Sequence, residues 1–165
     1  MKSLLLVEDD RTLAETLTER LQKEGYAVQW ADSVKSASAH LADQRFDLVI
    51  FDVGLPDGSG FELAKKLRAG ELTAVNRSAP FVFLTAMTSA EYRLEGYEIG
   101  AEEYIPKPFH LKELLLRVKH VLENHSTKAV LQLEDREIDW DALEVRVGGE
   151  VVDRIQMRDA MLLKL

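Results

Sequence analysis

A chain of 165 residues that is 46% hydrophobic can bury one full core and has some length to spare. The absence of cysteine excludes disulfides, thiolate metal sites and a cysteine nucleophile, and a formal net charge of -8 works against non-specific binding to nucleic acid. The first apolar run, Leu4 to Val7, stops at three acids, too short and too abruptly charged for a signal peptide or a membrane span, so the chain reads as cytoplasmic, with no membrane partner.

Short apolar runs then alternate with amphipathic stretches. Leu4 to Val7 predicts a first strand. Arg11 to Lys23 predicts a helix, with Leu13, Leu17 and Leu21 on one face and Gly25 as its stop. Tyr26 to Ala31 is a second strand, and Asp32 or Ser33 caps a helix running to about Ala42. Leu48 to Phe51 is apolar throughout, as a strand covered on both faces should be, and it ends abruptly at Asp52. Gly60 to Arg68 reads as a third helix, Phe81 to Leu84 as a fourth strand and Ala90 to Ile99 as a helix closed by Gly100. Glu103 to Ile105 is a short fifth strand, and Leu111 to about Glu123 the last helix of the series.

Five strand-then-helix units predict an α/β fold with a doubly wound, five-stranded parallel sheet, because parallel neighbours need crossover connections. Sites on such sheets lie beyond the carboxyl ends of the strands. One rim therefore collects Glu8, Asp9 and Asp10 after the first strand, Asp52 after the third, Thr85 after the fourth and Lys107 after the fifth.

The character changes after His125. Residues 1–125 form the first expected domain and 126–130 a short polar linker. Residues 131–165 read as a small antiparallel β platform, with a Gly148-Gly149 turn between Leu143 to Val147 and Val151 to Ile155, followed by the start of a helix.

Each rim residue has an ordinary explanation alone, since acids end turns, threonine favours strands and a lysine is usually solvated. Together they pose a chemical problem. Carboxylates crowded on one rim repel, so one must be neutralised or a cation bound. A hard oxygen-seeking ion such as Mg2+ needs only one or two carboxylates besides waters and a phosphate oxygen. Such a site could hold a phosphoryl group against Asp52 as a carboxylate nucleophile, with Lys107 and Thr85 supplying a positive charge and a hydroxyl to its other oxygens. The histidines, at 40, 110, 120 and 125, are scattered and suggest no metal site. The Gly58-Ser59-Gly60 run lacks the third glycine of a nucleotide-binding loop.

From Met1 to about His125 the chain resembles the receiver domain of two-component response regulators, the CheY-like family. The resemblance is carried by "LLLVEDD", "DLVIFDVGLPDGSGFEL", "FVFLTA" and "GAEEYIPKPF", four segments in order and at strand ends. It implies strand order 2-1-3-4-5 and a phosphoryl group taken on Asp52 from the phosphohistidine of a sensor histidine kinase. It implies Mg2+ held by Asp9, Asp52 and the carbonyl of Gly54, with Glu8 reaching it through water. It also implies a switch made of Thr85 and Tyr104, and a cis bond between Lys107 and Pro108. Residues of the first helix such as Ala14, Leu17 and Thr18 are expected on the surface that selects the kinase. The protein would be a phospho-acceptor with slow self-dephosphorylation rather than a turnover enzyme.

The fourth and fifth units resemble the OmpR/PhoB branch. Arg93, Glu98, Glu102 and Glu103, with Glu113, Arg117 and Lys119 on the last helix, fall where that branch pairs charges across a symmetric homodimer, on the face of the fourth helix, fifth strand and fifth helix. Residues 131–165 resemble the opening of that branch's winged-helix DNA-binding domain, without its reading helix, so DNA binding is expected only of a longer form. The connection from Ala69 to Pro80 is longer than the resemblance leads one to expect, and no role is legible in it.

Two other classes of function compete. A phosphatase on the same sheet would place a general acid two residues beyond the nucleophile, where Gly54 stands. A constitutive interaction module would keep the fold and ignore phosphate.

Overall fold

The computed structural model describes residues 1–135, the last ten by backbone alone. A compact unit, Met1–Leu122, carries the sheet. Its strands β1 (Ser3–Val7), β2 (Ala27–Ala31), β3 (Leu48–Phe51), β6 (Phe81–Thr85) and β7 (Glu103–Pro106) are all parallel, in the order β2-β1-β3-β6-β7. This is the doubly wound five-stranded sheet expected, in the order 2-1-3-4-5. The short strands β4 (Gly54–Leu55) and β5 (Gly58–Ser59) form a separate antiparallel ribbon where only a loop was expected.

The period-two alternation of the strands divides the core in two. Leu4 and Leu6, Leu48 and Ile50, and Val82 and Leu84 share one cluster with Ala14, Leu17 and Leu21 of α1 (Arg11–Lys23) and Leu114, Val118 and Val121 of α5 (Leu111–Asp135). Leu5 and Val7, Val49 and Phe51, and Phe81 and Phe83 share the other with Ala37 and Leu41 of α2 (Val34–Asp43) and Phe61, Leu63, Ala64 and Leu67 of α3 (Gly60–Arg68). Both faces being covered is why these strands are continuous apolar runs rather than alternating ones. Helix α4 (Ala90–Ile99) has no apolar stripe of comparable width: of its residues only Gly96 is buried.

The helices begin where the sequence supplies caps. Asp10 accepts from Leu13 N at 3.1 Å, Ser33 from Ser36 N at 3.1 Å and Ser89 from Tyr92 N at 3.2 Å. Gly25 and Gly100 adopt φ of 97° and 121°, conformations that L side chains rarely adopt, and so end α1 and α4.

The end of α5 corrects the sequence reading. The helix continues to Asp135, so residues 126–130, expected as a linker, and Leu131 to Asp135, expected to open the platform, are helical. The segment from Leu111 to Asp135 contains neither glycine nor proline, so its polar "HSTK" has nothing to stop a helix already under way. The rest of the expected platform and its helix lies outside the described residues.

The connection from Ala69 to Pro80 is pinned by one buried side chain. Asn76, fully buried, donates to the carbonyls of Leu41 at 2.8 Å and Gln44 at 2.7 Å and accepts from Phe46 N at 2.8 Å. It thereby satisfies carbonyls left over at the end of α2 and ties the connection to the entry into β3. Arg68 lies over the Phe81 ring at 4.7 Å and donates to the carbonyls of Arg77 and Ala79.

Candidate functional site

The rim beyond β1, β3 and β7 gathers the expected acids. Glu8 N donates to Ala31 O and Asp52 N to Val7 O, both at 2.9 Å, so each acid is the first residue past its strand while still held by the ladder. Carboxylate oxygens of Glu8, Asp9 and Asp52 lie within 4.8 Å of one another. Glu8 is 1% exposed, Asp52 8%, and Asp9 is exposed, which leaves the cluster one open side.

Lys107 enters this cluster from the end of β7. Its Nζ is 2.7 Å from Glu8 Oε1 and 2.9 Å from Asp52 Oδ2. Its backbone N–H donates to Thr85 O at 2.9 Å, and the Lys107–Pro108 bond is cis. Glu8 is held at its other oxygen by Asp10 N at 3.0 Å, and Asp52 Oδ1 accepts from Gly54 N at 3.3 Å.

One ammonium cannot satisfy three carboxylates. Burial raises the Glu8 carboxyl above its ordinary range; the Lys107 hydrogen bond and charge pull it back, and the Asp52 charge pushes it further up. Burial alone would lower Lys107, but hydrogen bonds and charges from Glu8 and Asp52 outweigh it and hold the ammonium above its usual value. A surplus of negative charge in an all-oxygen donor set is the environment a hard divalent cation fits.

The residues around Asp52 are small where they must be. A methyl group on Gly60 would stand 2.0 Å from the backbone oxygen of Asp52, so α3 can begin this close only with glycine. The ribbon β4–β5 folds the intervening chain back beside the cluster, and Asp57 at its turn accepts from Val34 N at 2.7 Å and Lys35 N at 3.0 Å at the start of α2.

Thr85 and Tyr104 meet at a third residue. Thr85, 1% exposed at the end of β6, accepts from Met87 N at 3.2 Å, while the Tyr104 hydroxyl donates to Met87 O at 2.6 Å. Tyr104 is 4% exposed and packs on Phe83. Burial, then the negative charge of Asp52, pushes its phenol up to about 12. Nothing in the local sequence marks Met87 as the shared partner.

The charges expected on the outer face are partly joined within the chain. Arg117 of α5 pairs with Glu103 of β7 and, at 2.9 Å, with Glu113. Its pKa is raised first by the Glu113 hydrogen bond. Arg93 donates to Thr88 O at 3.0 Å. Glu98 lies beside Leu94 in a groove between α3 and α4, Glu102 N donates to Phe81 O, and Lys119 is exposed. Sequence periodicity did not single out the apolar side chains here: Leu94 is 61% exposed, Tyr97 48% and Leu116 64%.

Ala14 and Leu17, expected on the kinase-selecting surface, are fully buried against the sheet. They belong to the inward stripe of α1 together with Leu21, and Thr18 beside them is half-buried with a hydroxyl that has no hydrogen-bond partner among the described residues. The exposed side of α1 carries Arg11, Thr12, Glu15, Thr16 and Glu19 instead.

Comparison with known proteins places this geometry. Residues 4–119 match the response regulator receiver domain family. The transcriptional regulatory protein PmrA of Pectobacterium parmentieri is 34% identical over 164 residues, covering 98% of this chain and 72% of PmrA. The phosphate regulon transcriptional regulatory protein PhoB of Pseudomonas aeruginosa is 37% identical over 157 residues, 95% of this chain but 62% of PhoB, so the chain spans under two-thirds of that relative. Among solved structures, the non-phosphorylated HemR receiver domain from Leptospira biflexa is 47% identical with a TM-score of 0.68, covering 74% of this chain and 94% of that one.

Proposed function

The chain belongs to the response regulator receiver domain family, and on that premise we propose that it is the phospho-accepting switch of a two-component pathway, with Asp52 as the acceptor. A carboxylate oxygen of Asp52 attacks the phosphorus of a phosphohistidine on a sensor histidine kinase. The O–P bond forms as the P–N bond breaks, the imidazole leaves with the electron pair, and no oxidant or reductant is involved. The observation that carries this reading is the convergence of Glu8, Asp9 and Asp52 on one open point with Lys107 bonded to Asp52.

Asp9, Asp52 and the Gly54 carbonyl would hold Mg2+, with Glu8 behind them. The bound ion would supply positive charge to the phosphoryl oxygens. Lys107 meets another of those oxygens through its ammonium and Thr85 a third through its hydroxyl. Movement of Thr85 toward an acyl phosphate draws on the Met87 N–H, and the Met87 carbonyl on the other side of the same Cα holds the Tyr104 hydroxyl, so both switch residues respond through one residue's backbone.

The output is a homodimer through α4, β7 and α5. Arg93, Glu98, Glu102, Glu103, Glu113, Arg117 and Lys119 form its charged rim around Leu94, Tyr97 and Leu116, whose exposure on flanking helices supports this face over others. Helices of the described residues are not long and apolar enough to cross a membrane, and the protein acts in the cytoplasm. PmrA and PhoB are transcriptional regulatory proteins, and control of transcription through DNA binding is the output proposed for the phosphorylated state.

Sedimentation velocity of the wild type and Asp52→Ala, each with and without magnesium and beryllofluoride, tests the proposal. A monomer-to-dimer shift confined to the wild type with both reagents is the expected result. The same oligomeric state in all four samples would favour a constitutive module.

A further inference from the structure

We propose that Trp30 is a positioning residue for the acidic cluster, acting through the peptide group that joins Glu8 to Asp9. This rests on the reading of that cluster as a magnesium-dependent phospho-acceptor and adds to it a residue from the second strand.

The inference begins with a gap in the sheet. β1 and β2 pair in register from Ser3↔Ala27 to Val7↔Ala31, and Glu8 N takes one further ladder bond, to Ala31 O at 2.9 Å. The next donor of a parallel ladder would be Ser33 N–H, directed at the Glu8 carbonyl. By that point β2 has ended and Ser33 serves as the N-cap of α2. The indole Nε1–H of Trp30 takes the carbonyl instead, at 2.7 Å.

A carbonyl at the edge of the site is thus held by a side chain rather than by the sheet. The indole is itself anchored: Trp30 is half-buried, pairs with Leu6 and packs against the cluster of Leu4, Leu6 and α1. Because a peptide group is planar, fixing the Glu8 oxygen fixes the direction of the Asp9 N–H and the course of the chain out of β1. Glu8 has other restraints, from Lys107 and Asp10 N. Asp9 is the exposed acid, so packing does not place its carboxylate; the backbone does. Partners that orient metal-binding groups typically contribute ten- to a hundred-fold in affinity.

The test uses the full chain with Trp140→Phe as parent, so that Trp30 is its one indole. Calorimetric titration with Mg2+ alone compares this parent with the variant that also carries Trp30→Phe, which keeps an aromatic ring and loses the donor. The expected result is an affinity about tenfold weaker at unchanged far-ultraviolet circular dichroism, with a beryllofluoride adduct still formed at higher magnesium. In the parent, the indole Nε1–H resonance should move during the titration with the calorimetric midpoint; this needs no change at position 30 and serves if Trp30→Phe fails to fold. Equal affinity of the two proteins, or an indole resonance that stays still to saturation, overturns the role of Trp30 and leaves the phospho-acceptor reading standing. A parent that binds no magnesium overturns both.

Discussion

A methyl group on Gly96 would stand 2.8 Å from the ring of Tyr104 and 3.2 Å from that of Phe83, so a missing side chain on α4 is what gives the aromatic its inward place. Alanine in place of glycine favours a helix by about 1 kcal/mol, but forcing a methyl into a filled core costs about 1–3 kcal/mol. The ring is the movable part. Gly96→Ala is therefore expected to turn Tyr104 outward, breaking its bond to Met87 O. Absorbance at 295 nm against pH would show it: the tyrosine that titrates near 12 in the wild type should move down toward the ordinary phenol range. A titration unchanged by the substitution would mean that α4 yields instead.

The same burial makes the fold sensitive to alkali. Tyr104 and Lys107 both have folded values raised above their ordinary ones. For each, the folded state binds the proton more tightly than the unfolded state, so the stability it contributes is complete below the unfolded value and is lost as pH rises through the folded one. Urea midpoints should accordingly fall between about pH 10 and 12. Tyr104→Phe, which cannot ionise at this position, should flatten part of that fall, and a parallel decline in both proteins would assign it to Lys107.

What could be read in advance follows from how local each signal is. Asp52, Thr85 and Lys107 were legible because each ends an apolar run, and a parallel sheet brings such ends to one rim. The ribbon β4–β5 was not, because two residues per strand carry no periodicity. Asn76 was unreadable for a different reason: its partners lie 30 to 35 residues away, and nothing beside it in the sequence announces a buried amide. Ala14 was misplaced because alanine is indifferent to burial; the orientation of α1, set by Leu17 and Leu21, decides it. The end of α5 was misread because polarity was taken as a boundary where no breaker stands.

Asn76 gives the longer connection a measurable role. Replacing it with alanine leaves the Phe46 N–H and two carbonyls near the end of α2 without their partner. A buried group left unsatisfied costs about 1–3 kcal/mol, and solvent reaching the Gln44 carbonyl should reduce that, so Asn76→Ala is expected to lose about 2–4 kcal/mol in urea denaturation. Because Asn76 bonds the end of α2 and the entry into β3, at the opposite end of the strands from the rim, formation of the beryllofluoride adduct should be retained under native conditions. Loss of the adduct in a folded variant would show that the connection acts on the site.

Lys107 should have opposite effects on stability without magnesium and on stabilisation by it. Its ammonium joins two carboxylates that are 2% and 11% exposed at the side chain, and Lys107→Met leaves them facing each other. Removing one partner of a buried ion pair costs about 3–5 kcal/mol. Lys107 is 19% exposed, which places it near the lower figure, and at about 2–4 °C per kcal/mol the melting temperature of the metal-free variant should fall by roughly 10 °C. Magnesium then has no ammonium to compete with and should raise the variant's melting temperature more than the wild type's. The pH dependence has a definite sign. Glu8 is already raised, and loss of Lys107 raises it further, so the folded variant holds a proton that the unfolded chain has released. Its stability is greatest below the ordinary carboxyl value and falls as pH rises through the folded one, and saturating magnesium should remove that fall. A variant as stable as the wild type at pH 7 without magnesium would mean that Glu8 and Asp52 are not held together by this lysine.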